Sequence, residues 1–430
     1  MKPNPCFFGG LPLLLWLCAG TGCTQFQPAP LDLTQDSVAW RTTSLEQCRG
    51  KKCLSAEDLL HIGLLMNPEL NKARLTYAKS TEVHRFAGLW DDPTLSADLE
   101  RISGGPVSSR SLAPGITIPV TGSKRLAAKA AEQYAESDFR QMQAEELDYS
   151  RRLADKILEV RVAHARLELM QQRRAVLKRE KEQADRLKTA GEIDLTDYHI
   201  ICRRFGDSEQ ELQQQETTHL KLHQELLALV GLHPAVGDIE ISGHLPQSLP
   251  PSPALPTDAE LLNAPAVLAL SAAYGASETE LKAEIRKQYP DITLSPGYMR
   301  EDRENKVTLG AELNIPLWNR NREAIAKAQG DRKLKEHETL TAWRNLLRER
   351  DDLSARCRLA ESHCRDELER VRLLRQAMQQ QEQLFAVGET TLPSLSEARH
   401  EAYQRSLNLL DIMQELISVQ NALSHLTLPS

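Results

Sequence analysis

The chain has 430 residues, with 53 Lys and Arg against 60 Asp and Glu, a net charge of −7, 26% charged and only 5% aromatic residues. Basic residues are interspersed with acidic ones along helical stretches and form no stripe with stacking aromatics, which argues against nucleic acid as a partner.

The first residues read as a signal peptide over 1–22, because Lys2 precedes an apolar run at 11–19 that is followed by Gly20, Thr21 and Gly22. The run is too short to span a bilayer as a helix, and no later stretch reaches the roughly 20 apolar residues required. Any membrane insertion must therefore use strands. Cys23 follows Gly22 where a lipoprotein would be cleaved and acylated, although Gly20 stands where that motif usually has Leu; lipidation and plain cleavage both fit. Residues 23–54 read as an N-terminal tether, proline-bearing at its start. Within it Cys48 and Cys53 flank a short basic loop and are placed to form a disulfide in an oxidising compartment.

Landmarks then recur at a constant offset of 197 residues: Pro68 and Pro265, Pro93 and Pro290, Ile118 and Ile315, Pro119 and Pro316, Gly191 and Gly388, Glu192 and Glu389. The chain is a duplicated unit. The first repeat covers 55–236, with short helices, a β-hairpin over 93–120 and long helices over 122–190 and 195–231. A connector over 237–257 carries Pro246, Pro250, Pro251, Pro253 and Pro256. The second repeat covers 258–430, with a hairpin over 291–317 and long helices over 319–387 and 393–426.

The strands are read from alternation. Val307, Leu309, Ala311, Leu313, Ile315 and Leu317 alternate with Lys306, Thr308, Gly310, Glu312, Asn314 and Pro316. Leu112, Pro114, Ile116, Ile118 and Val120 repeat the pattern in the first half, as do Leu95, Ala97, Leu99, Ile292 and Leu294. Strands of this length and polarity suit a barrel wall with lipid on one side and a wet lumen on the other. Four strands cannot close in lipid, so several copies are needed, and three would give twelve strands. The long helices carry two apolar stripes, Leu153, Ile157, Val160 and Leu167 beside Leu158, Val162, Ala165 and Leu169. Two seams on one helix imply neighbours on both sides, as in the staves of a helical tube.

With these marks in place the sequence resembles the TolC family of outer-membrane efflux proteins. The residues that carry the likeness are Asn67-Pro68-Glu69-Leu70, the junction Ile118-Pro119-Val120-Thr121-Gly122-Ser123-Lys124-Arg125, its twin Ile315-Pro316-Leu317-Trp318-Asn319-Arg320-Asn321-Arg322, and the turns Ala190-Gly191-Glu192 and Val387-Gly388-Glu389. The junctions look most like the branch serving heavy-metal cation pumps. The resemblance implies a mainly α protein with a small β part. Three copies would form a homotrimer, with a 12-stranded outer-membrane barrel continued by a periplasmic α-helical barrel. Most of the chain would lie in the periplasm of a bacterial cell. It also implies a periplasmic adaptor, an inner-membrane pump of the resistance-nodulation-division type, and outer-membrane lipid as partners. Drug and protein export ducts share the same body. A lipid-anchored periplasmic scaffold is the rival from another class.

No phosphate loop, His-Glu-x-x-His or Gly-x-Ser-x-Gly motif is present, so no enzyme, cofactor or metal site is expected. Function would lie at the helix tips. Glu192, Asp194, Asp197 and Glu389 are candidates for carboxylate rings at a pore entrance, while Asp194 and Asp197 also suit the cap and first turn of the next helix. Gly191 and Gly388 are expected to end their helices in a left-handed conformation, and with Leu195 and Leu392 to form adaptor-docking tips. Cys357, Glu361 and Cys364 share a helix face beside His363, but buried cysteines commonly pack as small hydrophobes.

Overall fold

The computed structural model describes residues 26–51, 53–101, 107–237, 239–246, 248–301 and 304–427. The expected signal peptide over 1–22 and Cys23 lie outside them.

The first repeat begins with α2 (Ala56–Met66) and α3 (Pro68–Phe86), and the Asn-Pro-Glu-Leu motif makes the joint between them. Asn67 Oδ1 accepts from the backbone N–H of Glu69 and of Leu70 at 2.9 and 3.0 Å, and Pro68 takes the first helical position, where its missing N–H costs nothing. The Asn67 amide in turn donates to Leu229 O at 2.7 Å, tying this joint to the end of a long helix. Ahead of it, two short elements lie within the described part of the expected tether. Leu33–Gln47 forms α1, capped by Asp32, and Trp40 Nε1 donates to Gly231 O at 2.7 Å. Cys53–Leu54 forms β1, which pairs in parallel with β4 (Glu240–Ile241). Cys48 and Cys53 are not bridged. The Cys48 side chain is buried in an apolar core and the Cys53 side chain is exposed, so the two face different surroundings.

Two hairpins follow the repeat. They comprise β2 (Thr94–Arg101) with β3 (Val107–Ile118), and β5 (Ile292–Glu301) with β6 (Glu304–Leu313). Together they form one antiparallel sheet in the order β2-β3-β5-β6. Pairing stops at Ile118 and Leu313, short of Val120, Ile315 and Leu317: Pro119 directly follows β3, and the register would set Pro290, which has no N–H to contribute to a ladder, opposite Ile315.

Each hairpin feeds a very long helix, α4 (Ser123–Ala190, 68 residues) and α8 (Arg322–Ala386, 65 residues), each roughly 100 Å long. Their return helices are α5 (Leu195–Val230) and α9 (Leu392–Ser424). The second repeat also has the short α6 (Asp258–Leu262) and α7 (Pro265–Arg286), the counterparts of α2 and α3. The half of α4 nearest the sheet lies between α3 and α7: Arg74 pairs with Glu146, and Tyr134 donates to Glu280 Oε2 at 2.8 Å. The far half lies between α5 and α9, with Lys156 on Glu225 and Asn421 reaching Asp155.

Two equivalent cores sit midway. One gathers Leu59, Tyr149, Leu153, Ile157, Val160, Leu226 and Val230; the other gathers Leu261, Leu353, Cys357, Leu416, Val419 and Leu423. Val160 and Cys357, Leu226 and Leu423, are partners at the 197-residue offset.

Candidate functional site

At the tip of the first repeat Gly191 adopts φ 74°, and Glu192 N donates back to Leu187 O at 2.8 Å. Gly388 adopts φ 79° at the other tip, with Glu389 N on Leu384 O at 2.9 Å. Both turns are left-handed helix ends of the same type, and the twin glycines meet the steric demand of positive φ. The next helix starts differently in each. Asp194 caps α5 by accepting from Thr196 N at 3.0 Å, and these hydrogen bonds hold its carboxyl below the ordinary carboxylate range. Thr391 gives α9 no such bond, and Pro393 occupies its first turn instead.

Of the acids expected at the mouth, Glu192, Asp194 and Glu389 are exposed and Asp197 is half-buried. The two leucines at equivalent positions part company. Leu392 is buried in a small tip core with Ala184 and Ile201, whereas Leu195 is 61% exposed. Leu392 therefore packs α9 onto α4 and α5, and Leu195 is left at the surface.

A larger polar assembly stands just behind the tips and joins the two repeats. Glu180 of α4 is 1% exposed. It accepts from Arg399 Nη1 and from Ser396 Oγ of α9, both at 2.8 Å, and Arg399 also holds Glu382 of α8 at 2.7 Å. Arg204 of α5 pairs with Glu397 of α9. Arg173 of α4 bonds Glu211 of α5 at 2.9 Å, lies 3.1 Å from His400 Nδ1, and stacks 4.0 Å over the Tyr403 ring. Arg166 pairs with Asp411 of α9 farther along. Of these groups Arg173, Glu180, Glu382, Ser396, Arg399, His400 and Tyr403 wall a cavity of about 480 Å³ between α4, α8 and α9. Burial, and then the cations Arg204 and Arg173, hold the His400 imidazole below its usual pKa, against the opposing pull of Glu397 and Glu211.

This clasp was not anticipated from the sequence. Leu158, Val162, Arg166, Leu169, Arg173, Leu177 and Glu180 follow one another at three- and four-residue spacing, so the charged members continue the second apolar stripe. That continuation was the available signal.

At the other end of the molecule the sheet has one apolar and one polar face. Ala97, Leu112, Tyr298 and Val307 form one cross-strand row, and Ile118, Ile292 and Leu313 another. Leu95, Leu99, Leu112, Ile116, Tyr298, Val307, Leu309 and Leu313 are all 44% or more exposed. The opposite face is knit by hydroxyls and carboxylates, with Ser111 donating to Asp98 at 3.0 Å, Ser109 to Glu100 at 3.2 Å, and Thr117 against Thr293 at 2.9 Å.

Cys357 and Cys364 are 5% and 0% exposed within the second core. Cys357 stands where the first repeat has Val160, and burial, then the hydrogen bond to Glu361, raises its thiol to about 11. Glu361 accepts from Ser252 of the connector. Among the described residues no group of three or more His, Cys, Asp or Glu side chains is placed to hold a metal, and no helix is long and apolar enough to cross a membrane.

Residues 257–427 match the model of the outer membrane efflux protein family. The cobalt-zinc-cadmium resistance protein CzcC of Cupriavidus metallidurans is 28% identical over 257 residues, which are 57% of this chain and 61% of that protein's length. The fold is shared with CusC, whose structures follow transmembrane channel formation, at a TM-score of 0.74 and 15% identity over 86% of this chain and 92% of that one. The outer membrane protein VceC of Vibrio cholerae gives 0.71 and 18% over 86% and 94%. The family match thus lies in the second repeat, and the fold of the whole chain is the one these solved structures share.

Proposed function

We propose that this chain is one subunit of a passive outer-membrane duct through which an efflux system expels solutes. The observation that carries the proposal is the four-stranded sheet. It exposes a continuous apolar face and two unpaired edges, β2 and β6, and among the described residues nothing covers either. In water such a surface invites aggregation, and in lipid an open edge is untenable. Both problems are solved together if three copies close a twelve-stranded barrel with the apolar face toward lipid and the hydroxyl-and-carboxylate face toward a wet lumen. The long helices then continue the wall as a periplasmic tube, each contacting neighbours on both sides.

On this reading energy comes from an inner-membrane pump, delivered through a periplasmic adaptor that meets the tips at Gly191, Leu195 and Gly388. The chain itself conducts and gates and is no enzyme. The exposed Glu192, Asp194 and Glu389, repeated by threefold symmetry, would make the mouth favour cations. The likeness to CzcC supports heavy-metal cations as the cargo, selected by the pump and let through by the duct.

The test is planar-bilayer conductance of the detergent-extracted protein, with its oligomeric mass taken on the same sample. Trimers with discrete conductance steps support the duct. A monomer that never conducts would point to a periplasmic scaffold. Loss of cobalt, zinc and cadmium tolerance on deleting the gene, with drug tolerance unchanged, supports the metal cargo; the reverse pattern rejects it.

A further inference from the structure

We propose that Arg110 and Arg300 form a binding site for the phosphate groups of lipids in the outer leaflet. The proposal rests on the membrane reading above and goes beyond it. Arg110 of β3 and Arg300 of β5 are directly opposed in the strand register, which puts their Cα atoms about 5 Å apart. Both belong to the apolar face, since residues 110, 112, 116 and 118 share one side of β3, and 292, 294, 298 and 300 share one side of β5. They lie at the end of the sheet farthest from the long helices, one row beyond Leu112 and Tyr298.

Two like charges set opposite one another in a sheet repel, so the pair needs an anion. Among the described residues none supplies one. Both guanidinium groups are exposed, and among the described residues neither has a hydrogen-bond or ion-pair partner. The acids at this level point to the other face: Glu100 is bonded to Ser109, Asp98 to Ser111, and Glu301 to Lys306 at 2.6 Å. On the apolar face the row reads Leu99, Arg110, Arg300 and Asn305, with no carboxylate.

Such an arrangement fits a phosphate at the lipid–water boundary. Leu99, Leu112 and Val307 contact acyl chains, the Tyr298 ring sits at the boundary, and the two forked guanidinium groups above it engage phosphate oxygens in pairs. A phosphorylated glycolipid fits better than free phosphate, because the same face supplies apolar contact to the lipid's chains.

The experiment is native mass spectrometry of the trimer in detergent. It is titrated with a bisphosphorylated glucosamine-disaccharide lipid, the same lipid stripped of its phosphates, and inorganic phosphate. Wild type should bind the phosphorylated lipid at least tenfold more tightly than the stripped one, with millimolar phosphate a poor competitor. Arg110→Gln with Arg300→Gln should abolish that preference, and the double Lys variant should keep part of it. Equal binding of both lipids by wild type, or an unchanged preference in the Gln variant, overturns the proposal. Full competition by phosphate overturns the lipid source and leaves only an anion site. Conductance on the same samples separates the readings: a conducting trimer without lipid preference rejects this site alone, whereas a protein that never inserts rejects the membrane reading beneath it.

Discussion

Glu180 and Arg399 meet at 2.8 Å across the two repeats, 219 residues apart in sequence, with the carboxylate 1% exposed and the guanidinium 27%. A buried carboxylate tolerates that position only while it is paired, so this contact ties the rotation of one helix pair to the other. Arg399→Gln should destabilise the folded chain by about 3 kcal/mol, the low end for breaking a buried pair, because Ser396 still donates to Glu180. The double variant Glu180→Gln with Arg399→Gln should recover most of that loss, as no unpaired charge is left inside. If the clasp restrains the entrance, both variants will raise the open probability in bilayers. Thermal unfolding separates the two effects, since only the single variant should fall markedly in stability.

His400 makes the same clasp sensitive to acid. Its neighbours are Arg173 from α4, Arg204 and Glu211 from α5, and Glu397 on its own helix, and burial first, then the two cations, lower its pKa in the folded chain. The unfolded imidazole takes up a proton as the pH falls through about 6.5, while the folded one does not. Its contribution is therefore fully present above that pH and is lost as the pH drops toward the folded value. Below it, an imidazolium would face the Arg173 guanidinium at 3.1 Å. Channels should open more readily as the pH is lowered below about 6.5, and His400→Gln should flatten that dependence. An unchanged pH profile in His400→Gln would exclude the histidine.

The duplicated architecture was legible because both repeats bury equivalent positions, Val160 with Cys357 and Leu226 with Leu423, at one offset. The tip glycines were legible because positive φ restricts the residue type. Leu195 and Leu392 were not separable, because offset symmetry says nothing of which copy meets a neighbour; Leu392 is enclosed by Ala184 and Ile201, and Leu195 is not. Glu180 was the harder case. A charged residue on a helical stripe reads as solvated unless its partner is known, and its partner lies in the other repeat.

Asp194 and Glu192 should separate capping from selectivity. Asp194→Ala removes the acceptor for Thr196 N and should lower the melting temperature, whereas Glu192→Gln, which breaks no hydrogen bond, should leave it unchanged. Cation preference in bilayers should fall for Glu192→Gln and Glu389→Gln, and further when Asp194→Asn is added. Reversal potentials under a salt gradient measure this directly, and no shift in any of them would reduce these acids to caps and solvated surface.

Gly191 and Gly388 offer a test of backbone strain free of packing. A Cβ at either position would meet nothing within 4 Å, so the cost of an Ala there is that of placing it in the left-handed region, about 1–2 kcal/mol. Asn at the same sites should cost less. Equilibrium unfolding should rank Gly above Asn above Ala at both tips. An Ala variant that matched wild type would show that the turn can relax to another form.

Gly63 and Tyr149 make the converse case, in which space decides and dihedral angles do not. A Cβ on Gly63 would lie 1.6 Å from the Tyr149 hydroxyl, inside the first core, where Tyr149 is fully buried. That hydroxyl has no hydrogen-bond partner among the described residues, and burial holds its pKa well above the ordinary phenol value. Removing it with Tyr149→Phe should therefore be neutral or stabilising by about 1 kcal/mol, since an unsatisfied buried group is deleted. Gly63→Ala alone should cost about 1–3 kcal/mol through overpacking. In the double variant the worst contact disappears, but the ring carbon 2.6 Å from the new Cβ remains, so the rescue should be partial. A double-mutant cycle in thermal or denaturant unfolding measures that coupling, which should favour the double variant by at least 0.5 kcal/mol for two residues in contact. Additive behaviour would mean that α2 moves away from α4 as a body, and would remove the close approach of Gly63 to Tyr149 as the reason for glycine in this helix.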